Sequence, residues 1–370
     1  ISLFSLYDGD MVRCKSNFEV LNFDVKGSDE KGLDINIKFF DPGYGERNKR
    51  LKVDEYTYNE FISNYSIPWY YIQEQRLSAN NSAVLKRGEV TKEEFFDLWG
   101  MVEKNRTGEP GIFWTNDYDI GTNPCCEISL NPNQFCNLTE VNVSDVEDED
   151  DLYSRVKAAT ILGTLQASYT DFHYLRPIWQ KQTEEESLLG VSMTGIGSGN
   201  ILEFDEEELK RLSGYAVEVN SQVSDEIGVR RSARVTCIKP SGTSSAVLGT
   251  SSGIHAWHDP YYIRNVRVSK NEPIYYYILD NYPQLLEDEF INPDSMAVIG
   301  IPQKAPEGSI FRDESALGFL ERVSKFSRTW ISGGHVEGKN KHNVSATCSV
   351  REEEWKEVGN WLWDNQELYN

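Results

Sequence analysis

Apolar residues recur at helical spacing in several stretches of the chain. Leu152, Val156, Ala159, Leu162, Leu165 and Tyr169 form one stripe. Leu209, Leu212, Ala216, Val219, Val223 and Ile227 form another after an acidic start at Asp205, and Leu317, Leu320, Val323 and Phe326 mark a third. Val90 to Glu103 also reads as a helix, with Thr91 as N-cap and Glu94 three residues on, the pattern of a capping box. Other segments carry the strand period. Val344, Ala346, Cys348 and Val350 alternate, and the chain then turns helical from Glu352 to Trp363. Arg234 to Lys239 is a short β-rich run stopped by Pro240, and Tyr262 to Val268 and Met296 to Ile301 read as further strands. Strands alternating with helices predict an α/β architecture. Residues 14–67 differ: polar, mixed in charge and punctuated by glycine-rich turns, they read as short strands of an insertion or peripheral excursion.

Composition narrows the class. The 370 residues are 39% hydrophobic, enough for a large core, and α/β barrels of this size form one unit. No run approaches the roughly 18 apolar residues of a membrane span, and no basic-then-apolar leader opens the sequence, so the expectation is a cytoplasmic protein. The first residue is Ile1, inside a hydrophobic stretch, which suggests part of a longer protein. A net charge of −22 argues against a nucleic-acid partner. Anionic small substrates stay open, because charges beyond about 8 Å are screened at physiological salt and local donors decide. Six cysteines without secretory spacing fit a reducing compartment.

The densest candidate chemistry is Asn123-Pro124-Cys125-Cys126-Glu127-Ile128, followed by Phe135-Cys136-Asn137-Leu138-Thr139-Glu140. Pro124 and its polar neighbours make the first part a loop. A zinc site fails on spacing, since adjacent cysteines replace the usual Cys-x₂₋₄-Cys pair and no second pair follows, so no metal is expected here. A buried structural thiol explains any single cysteine, yet three within twelve residues, with a carboxylate beside them, suggest reactive sulfur. A second cluster, Lys239-Pro240-Ser241-Gly242-Thr243-Ser244-Ser245, ends a predicted strand in a turn of backbone N–H groups and hydroxyls suited to an anion. Gly195-Ile196-Gly197-Ser198-Gly199 suggests a dinucleotide loop, but no strong strand is read before it. His255 and His258 sit beside Trp257 and Pro260, where a turn or packing role is favoured over metal binding.

Asn-x-Cys-x-Glu on a loop, with another cysteine eleven residues after the first, resembles the active-site loop of ribonucleotide reductases. Lys239 to Ser245 with Gly253-Ile254-His255 is similar to that family's nucleotide-phosphate loop, which would make Ser241, Gly242, Thr243, Ser244 and Ser245 the phosphate-binding residues. Gly108 to Phe113, Gly190 to Gly195 and His342 to Ser345 resemble family core segments. The resemblance covers roughly residues 1–13 and 70–370 and leans toward the adenosylcobalamin-dependent branch, notably in Arg76 to Glu89 and the final fifty residues. It implies a ten-stranded α/β barrel of the glycyl-radical type, its N-terminal part outside this chain, with a finger loop presenting the radical cysteine. It implies Cys125 as the thiyl-radical position, Glu127 as general base, Asn123 as its hydrogen-bonding companion and Cys136 as one of two reducing thiols. Cys126 stands where the family often has glycine, and Cys14, only 111 residues before Cys125, is not read as the partner of Cys136.

Such an enzyme would take a ribonucleotide, adenosylcobalamin and a thioredoxin-like or small dithiol reductant. A complementary polypeptide or dimer partner is also open. Two other readings remain at this point: a catalytic subunit fed by a separate metal-bearing radical subunit, and a non-catalytic fragment of a split reductase.

Overall fold

The computed structural model describes the backbone of Ser2–Ser5, Glu19–Asp29, Gly32–Asp41 and Gly45–Val53, and residues 81–106 and 108–370, Asn200 by backbone alone. In chain order the strands are β1 Ser2–Ser5, β2 Glu19–Asp29, β3 Gly32–Asp41, β4 Gly45–Val53, β5 Ser82–Lys86, β6 Gly111–Thr115 and β7 Gly121–Thr122. They continue with β8 Ser129–Leu130, β9 Leu138–Asn142, β10 Gly190–Thr194, β11 Tyr261–Ser269, β12 Leu286–Asp288, β13 Met296–Lys304 and β14 Thr347–Val350. The helices are α1 Lys92–Asn105, α2 Glu149–Ala167, α3 Pro177–Glu186, α4 Glu206–Ile227 and α5 Thr243–Leu248. After them come α6 Pro273–Asn281, α7 Ala316–Phe326 and α8 Trp355–Asp364.

The chain divides into two units, the first comprising residues 1–132, 316–321 and 347–370. Here β5 and β6 pair in parallel across α1, the crossover that parallel strands require. Thr91 caps α1 as its sequence predicts: Glu94 N donates to Thr91 Oγ1 at 3.3 Å and Thr91 N donates to Glu94 Oε2 at 2.8 Å. The buried face of α1, Phe95, Trp99 and Val102, enters an aromatic core with Trp114, Trp355 and Trp363. Polar ring atoms buried there find acceptors. Trp99 Nε1 donates to Trp355 O at 2.9 Å, Trp114 Nε1 to Tyr369 Oη at 3.0 Å, and Tyr369 Oη to Leu362 O at 2.8 Å. Arg87 holds the last turn by donating to the carbonyls of Gln366 and Tyr369. Strand β14 pairs in parallel with β1, and β2, β3 and β4 form an antiparallel sheet. Cys14 lies outside the described residues.

The second unit comprises residues 133–315 and 322–346. Strands β9 and β10 pair in parallel, and the Arg234–Ile238 run joins them through a parallel bridge between Val191 and Thr236. Ile238 in turn bridges Val344, so four segments line up side by side. Helix α2 packs over β9 and β10, but on a different face from the one its leucines suggest. Leu152, Val156 and Ala159 are buried, whereas Leu162 is 62% and Leu165 44% exposed, and Tyr169 falls beyond the helix end. The face is instead completed by Thr160, Gly163, Thr164 and Ala167. The reason is distance: a Cβ on Gly163 would lie 2.1 Å from Leu189 Cδ1, so only small side chains let the helix come this close. Helix α4 matches its predicted stripe through Val219, with Asp205 as N-cap and Ile227 exposed.

Beyond these, β11, β13 and β12 form an antiparallel sheet whose buried Val268, Ala297 and Ile299 pack against Tyr275 and Ile278 of α6. The α/β class is therefore observed. The sheets among the described residues hold two or three strands each, short of the ten-stranded closure that the resemblance implies. No helix among the described residues is long and apolar enough to cross a membrane.

Candidate active site

The Cys125 loop belongs to the first unit and is a tight hairpin between the antiparallel pair β7 and β8. Asn123 organises it. Its backbone N donates to Ile128 O at 3.3 Å, its Oδ1 accepts from Ile128 N at 3.0 Å, and its carbonyl accepts from Cys126 N at 2.9 Å. The last bond closes a β-turn with Pro124 at the position whose φ proline pre-sets. The remaining end of the amide, Nδ2, donates to Glu127 Oε1 at 2.7 Å. Glu127 is fully buried and Asn123 nearly so, while Cys125 and Cys126 are half-buried. One asparagine thus fixes both the turn and the carboxylate, with the Cys125 thiol between them in sequence.

Cys126 adopts φ 65, the left-handed region that favours glycine. That explains physically why glycine suits the position. A cysteine there bears a cost of about 1 kcal/mol. Its Sγ lies 4.0 Å from Ser82 Oγ.

Cys136 belongs to the second unit, immediately before β9. Its neighbours hold it on a strut. Phe135 packs on Phe172 and Trp179, each with ring centroids 4.9 Å away, and Asn137 Nδ2 donates to Leu188 O at 2.9 Å. No described cysteine is in a disulfide, and Cys237 and Cys348 are core residues.

The serine-rich loop, also in the second unit, leaves the Arg234–Ile238 run at Lys239, whose N donates to Ser192 Oγ on β10 at 2.9 Å. It folds on itself. Ser245 N donates to Ser241 Oγ at 3.0 Å, and Ser245 Oγ donates to the carbonyls of Ser241 at 2.8 Å and Gly242 at 3.0 Å. Ser245 is therefore a buried brace, and Gly242, Thr243 and Ser244 form the exposed tip over a buried Ser241. Gly253 backs the loop at φ 53, where a Cβ would lie 2.3 Å from Lys239 O. This close approach explains why the glycine accompanies the serine run.

His255 comes next along the chain. Burial pushes its imidazole down to about 4, with Nδ1 2.9 Å from Ser252 O, so it is neutral near pH 7 and brings no charge to an anion. Next to it, Arg322 Nε donates to Ile254 O and its two terminal nitrogens clasp Glu314 at 2.7 and 2.6 Å. Among the described residues no group of three His, Cys, Asp or Glu side chains is gathered as a metal site.

A strand, β10, does precede Gly195, contrary to the sequence expectation. After it the chain makes a pair of short 3₁₀ turns rather than a helix, and Cβ atoms on Gly197 and Gly199 would lie 2.5 Å from His255 O and 2.3 Å from Val143 O. These glycines serve close backbone packing.

Sequence reasoning gave Glu140 no role. In the structure its Oε2 accepts from both Ser241 and Ser244, whose hydroxyls lie 101 and 104 positions along the chain. The only hint in the sequence was an acid placed within the strand Leu138–Asn142.

No protein-family model matches the chain. Among curated proteins, it is 27% identical over 271 residues to an adenosylcobalamin-dependent ribonucleoside-triphosphate reductase of Euglena gracilis, covering 67% of this chain and 35% of that protein. It is 30% identical over 196 residues to the reductase of the same name from Lactobacillus acidophilus, covering 45% of this chain and 25% of that protein. The chain thus spans about a third or less of these relatives' length. In structure it is similar to a B12-dependent (class II) ribonucleotide reductase, with a TM-score of 0.61 and 20% identity over 82% of this chain and 47% of that one. In sequence this chain is similar to part of adenosylcobalamin-dependent ribonucleoside-triphosphate reductases, and in fold to part of a class II ribonucleotide reductase.

Proposed function

We propose that this chain carries the radical chemistry that reduces ribonucleotides to 2′-deoxyribonucleotides. The observation that carries the reading is the Asn123–Glu127 pair: a fully buried carboxylate, fixed at 2.7 Å by an amide, two residues from the Cys125 thiol. Similarity to the Euglena and Lactobacillus reductases supports it.

In this reading Cys125 is the residue that holds the unpaired electron. Its thiyl sulfur takes the hydrogen atom from the ribose 3′ carbon, leaving a thiol and a carbon radical. Glu127 accepts the 3′-hydroxyl proton while the 2′-hydroxyl leaves, protonated, as water. Asn123 keeps the carboxylate aimed and excludes it from bulk solvent. The two electrons and two protons come from a dithiol of which Cys136 is one member, one proton leaving with the 2′-hydroxyl in water and the other ending on the 2′ carbon. The resulting disulfide is reset by thiol exchange with a thioredoxin-like or small dithiol reductant. Finally Glu127 returns its proton to the 3′ oxygen and the 3′ carbon regains its hydrogen from Cys125, restoring the starting radical. Ser241, Gly242, Thr243 and Ser244 take the nucleotide phosphates, braced by Ser245. The ten-stranded barrel belongs to this proposal, with the Cys125 hairpin as its finger loop.

Adenosylcobalamin is the radical source this reading favours over a separate metal-bearing subunit, because the relatives carry it in their names. Its cobalt comes already ligated by the corrin, so the fit to be met by this chain is a hydrogen-atom donor. A half-buried cysteine thiol is one. When bound, the group supplies the one-electron oxidation of that thiol. The protein's part is to position the ribose and shield the radical.

The test is incubation of the protein with adenosylcobalamin, a dithiol and ribonucleoside triphosphates, alone and with any complementary polypeptide from an adjoining reading frame. Deoxynucleotide formation that requires adenosylcobalamin is expected. Dependence on an iron or manganese subunit instead would overturn the choice of radical source, and nucleotide binding without turnover in every combination would favour a non-catalytic role.

A further inference from the structure

Ser241 and Ser244 turn their hydroxyl protons toward one carboxylate. Ser241 Oγ donates to Glu140 Oε2 at 3.0 Å, Ser244 Oγ donates to the same oxygen at 2.5 Å, and the two hydroxyl oxygens are 3.0 Å apart. Ser241 Oγ meanwhile accepts from Ser245 N, so the carboxylate is wired into the frame of the loop. Glu140 reaches it from β9, where it stands opposite Ser192 of β10, the residue that holds Lys239 N at the loop's entrance. Its other oxygen, Oε1, is buried and has no hydrogen-bond partner among the described residues.

A carboxylate and a phosphate make the same demand on a hydroxyl: both accept its proton. Hydroxyls committed to Glu140 are not available to an incoming phosphate, and two anions on one pair of donors repel each other. A permanent structural brace would be expected to satisfy both carboxylate oxygens, since a buried acceptor without a donor is costly. Glu140 is satisfied only on the side facing the two serines, so leaving them exchanges an incomplete set of bonds for solvation.

We propose that Glu140 is a resident anion of the serine loop. Its carboxylate occupies the seat of a nucleotide phosphate in the empty protein and yields Ser241 and Ser244 when the nucleotide arrives. The consequence is selectivity. A lone inorganic phosphate has little beyond these hydroxyls with which to displace a tethered carboxylate, whereas a nucleoside polyphosphate brings binding energy from its other groups. Glu140 therefore screens out small anions at the expense of some nucleotide affinity, a use of repulsion for specificity.

The inference rests on the loop being the phosphate site, and the experiment separates the two. Binding of inorganic phosphate and of a ribonucleoside triphosphate to the full chain is measured by calorimetry for wild type, Glu140→Gln, Glu140→Ala and the double change Ser241→Ala, Ser244→Ala. Thermal unfolding of each variant accompanies the titrations, and having two replacements at Glu140 guards against one that fails to fold. Both Glu140 variants are expected to bind inorganic phosphate at least about tenfold more tightly, a gain of ~1.4 kcal/mol, and to narrow the preference for triphosphate. The serine pair is expected to lose affinity for both. Unchanged or weaker phosphate binding on removal of the carboxylate, with the serine change still damaging, overturns the resident-anion proposal and leaves the phosphate loop standing. Triphosphate binding indifferent to the serine change overturns both.

Discussion

The cysteine hairpin and the serine loop each join a carboxylate to neutral hydrogen-bond donors, but they do so in opposite ways. In the hairpin, Glu127 and its donor Asn123 are four residues apart, fully or nearly buried, and share one turn whose backbone bonds the same asparagine makes. In the loop, Glu140 comes from a strand more than a hundred residues upstream and meets serines of which one is exposed at the tip. The first arrangement is preorganised: the carboxylate is held in one position by a donor of its own turn. The second is occupied, its donors already committed to Glu140. A site that performs proton transfer gains from a fixed carboxylate, while a site that selects an anion gains from one that can be displaced.

The largest expected effect comes from breaking the preorganised pair at its chemical end. Glu127→Gln keeps the shape and removes the base, so turnover should fall by about 100-fold or more while nucleotide affinity stays within a few-fold. A steady-state comparison with an independent binding titration checks this. Near-normal turnover would remove Glu127 from the chemistry. The next effect is on stability. Asn123→Ala strips the amide from a buried carboxylate and from the turn, and denaturant unfolding should show a loss of about 1–3 kcal/mol. Were the loss negligible, the hairpin would not be held as described. The serine loop gives a smaller one: Ser245→Ala deletes two hydroxyl-to-carbonyl bonds and should cost about 1 kcal/mol, with weaker triphosphate binding because the brace is gone. Smallest of all is Cys126→Gly, which relieves the left-handed backbone and should change stability by less than about 1 kcal/mol, leaving turnover intact. A large loss of turnover there would give the second thiol a chemical role.

The same contrast explains what could be read from the sequence. The capping box of α1 was legible from its spacing, and the Asn123–Glu127 pair from the family resemblance of its loop; each is closed within a few residues. Helix α2 was legible as a helix, but its buried face was misread: leucines signal burial strongly, whereas the glycine that meets Leu189 and Thr139 and the buried threonines beside it signal it weakly. The strand before Gly195 was missed because Gly190, Ser192 and Thr194 dilute its apolar pattern, although all are buried. Glu140 was illegible as a partner of the serines, since its place is set by the parallel pairing of β9 with β10 rather than by any local spacing. The strain at Cys126 was visible as an unusual residue, and only the backbone supplied its cause.

The central claim is that one particular sulfur of the two neighbours in the hairpin attacks the ribose. Parallel assays of Cys125→Ser and Cys126→Ser, with adenosylcobalamin, dithiol and ribonucleotide, test it directly. The account predicts that both variants bind nucleotide, that Cys126→Ser still forms deoxynucleotide, and that Cys125→Ser forms none. Deoxynucleotide from Cys125→Ser at near the wild-type rate would contradict it.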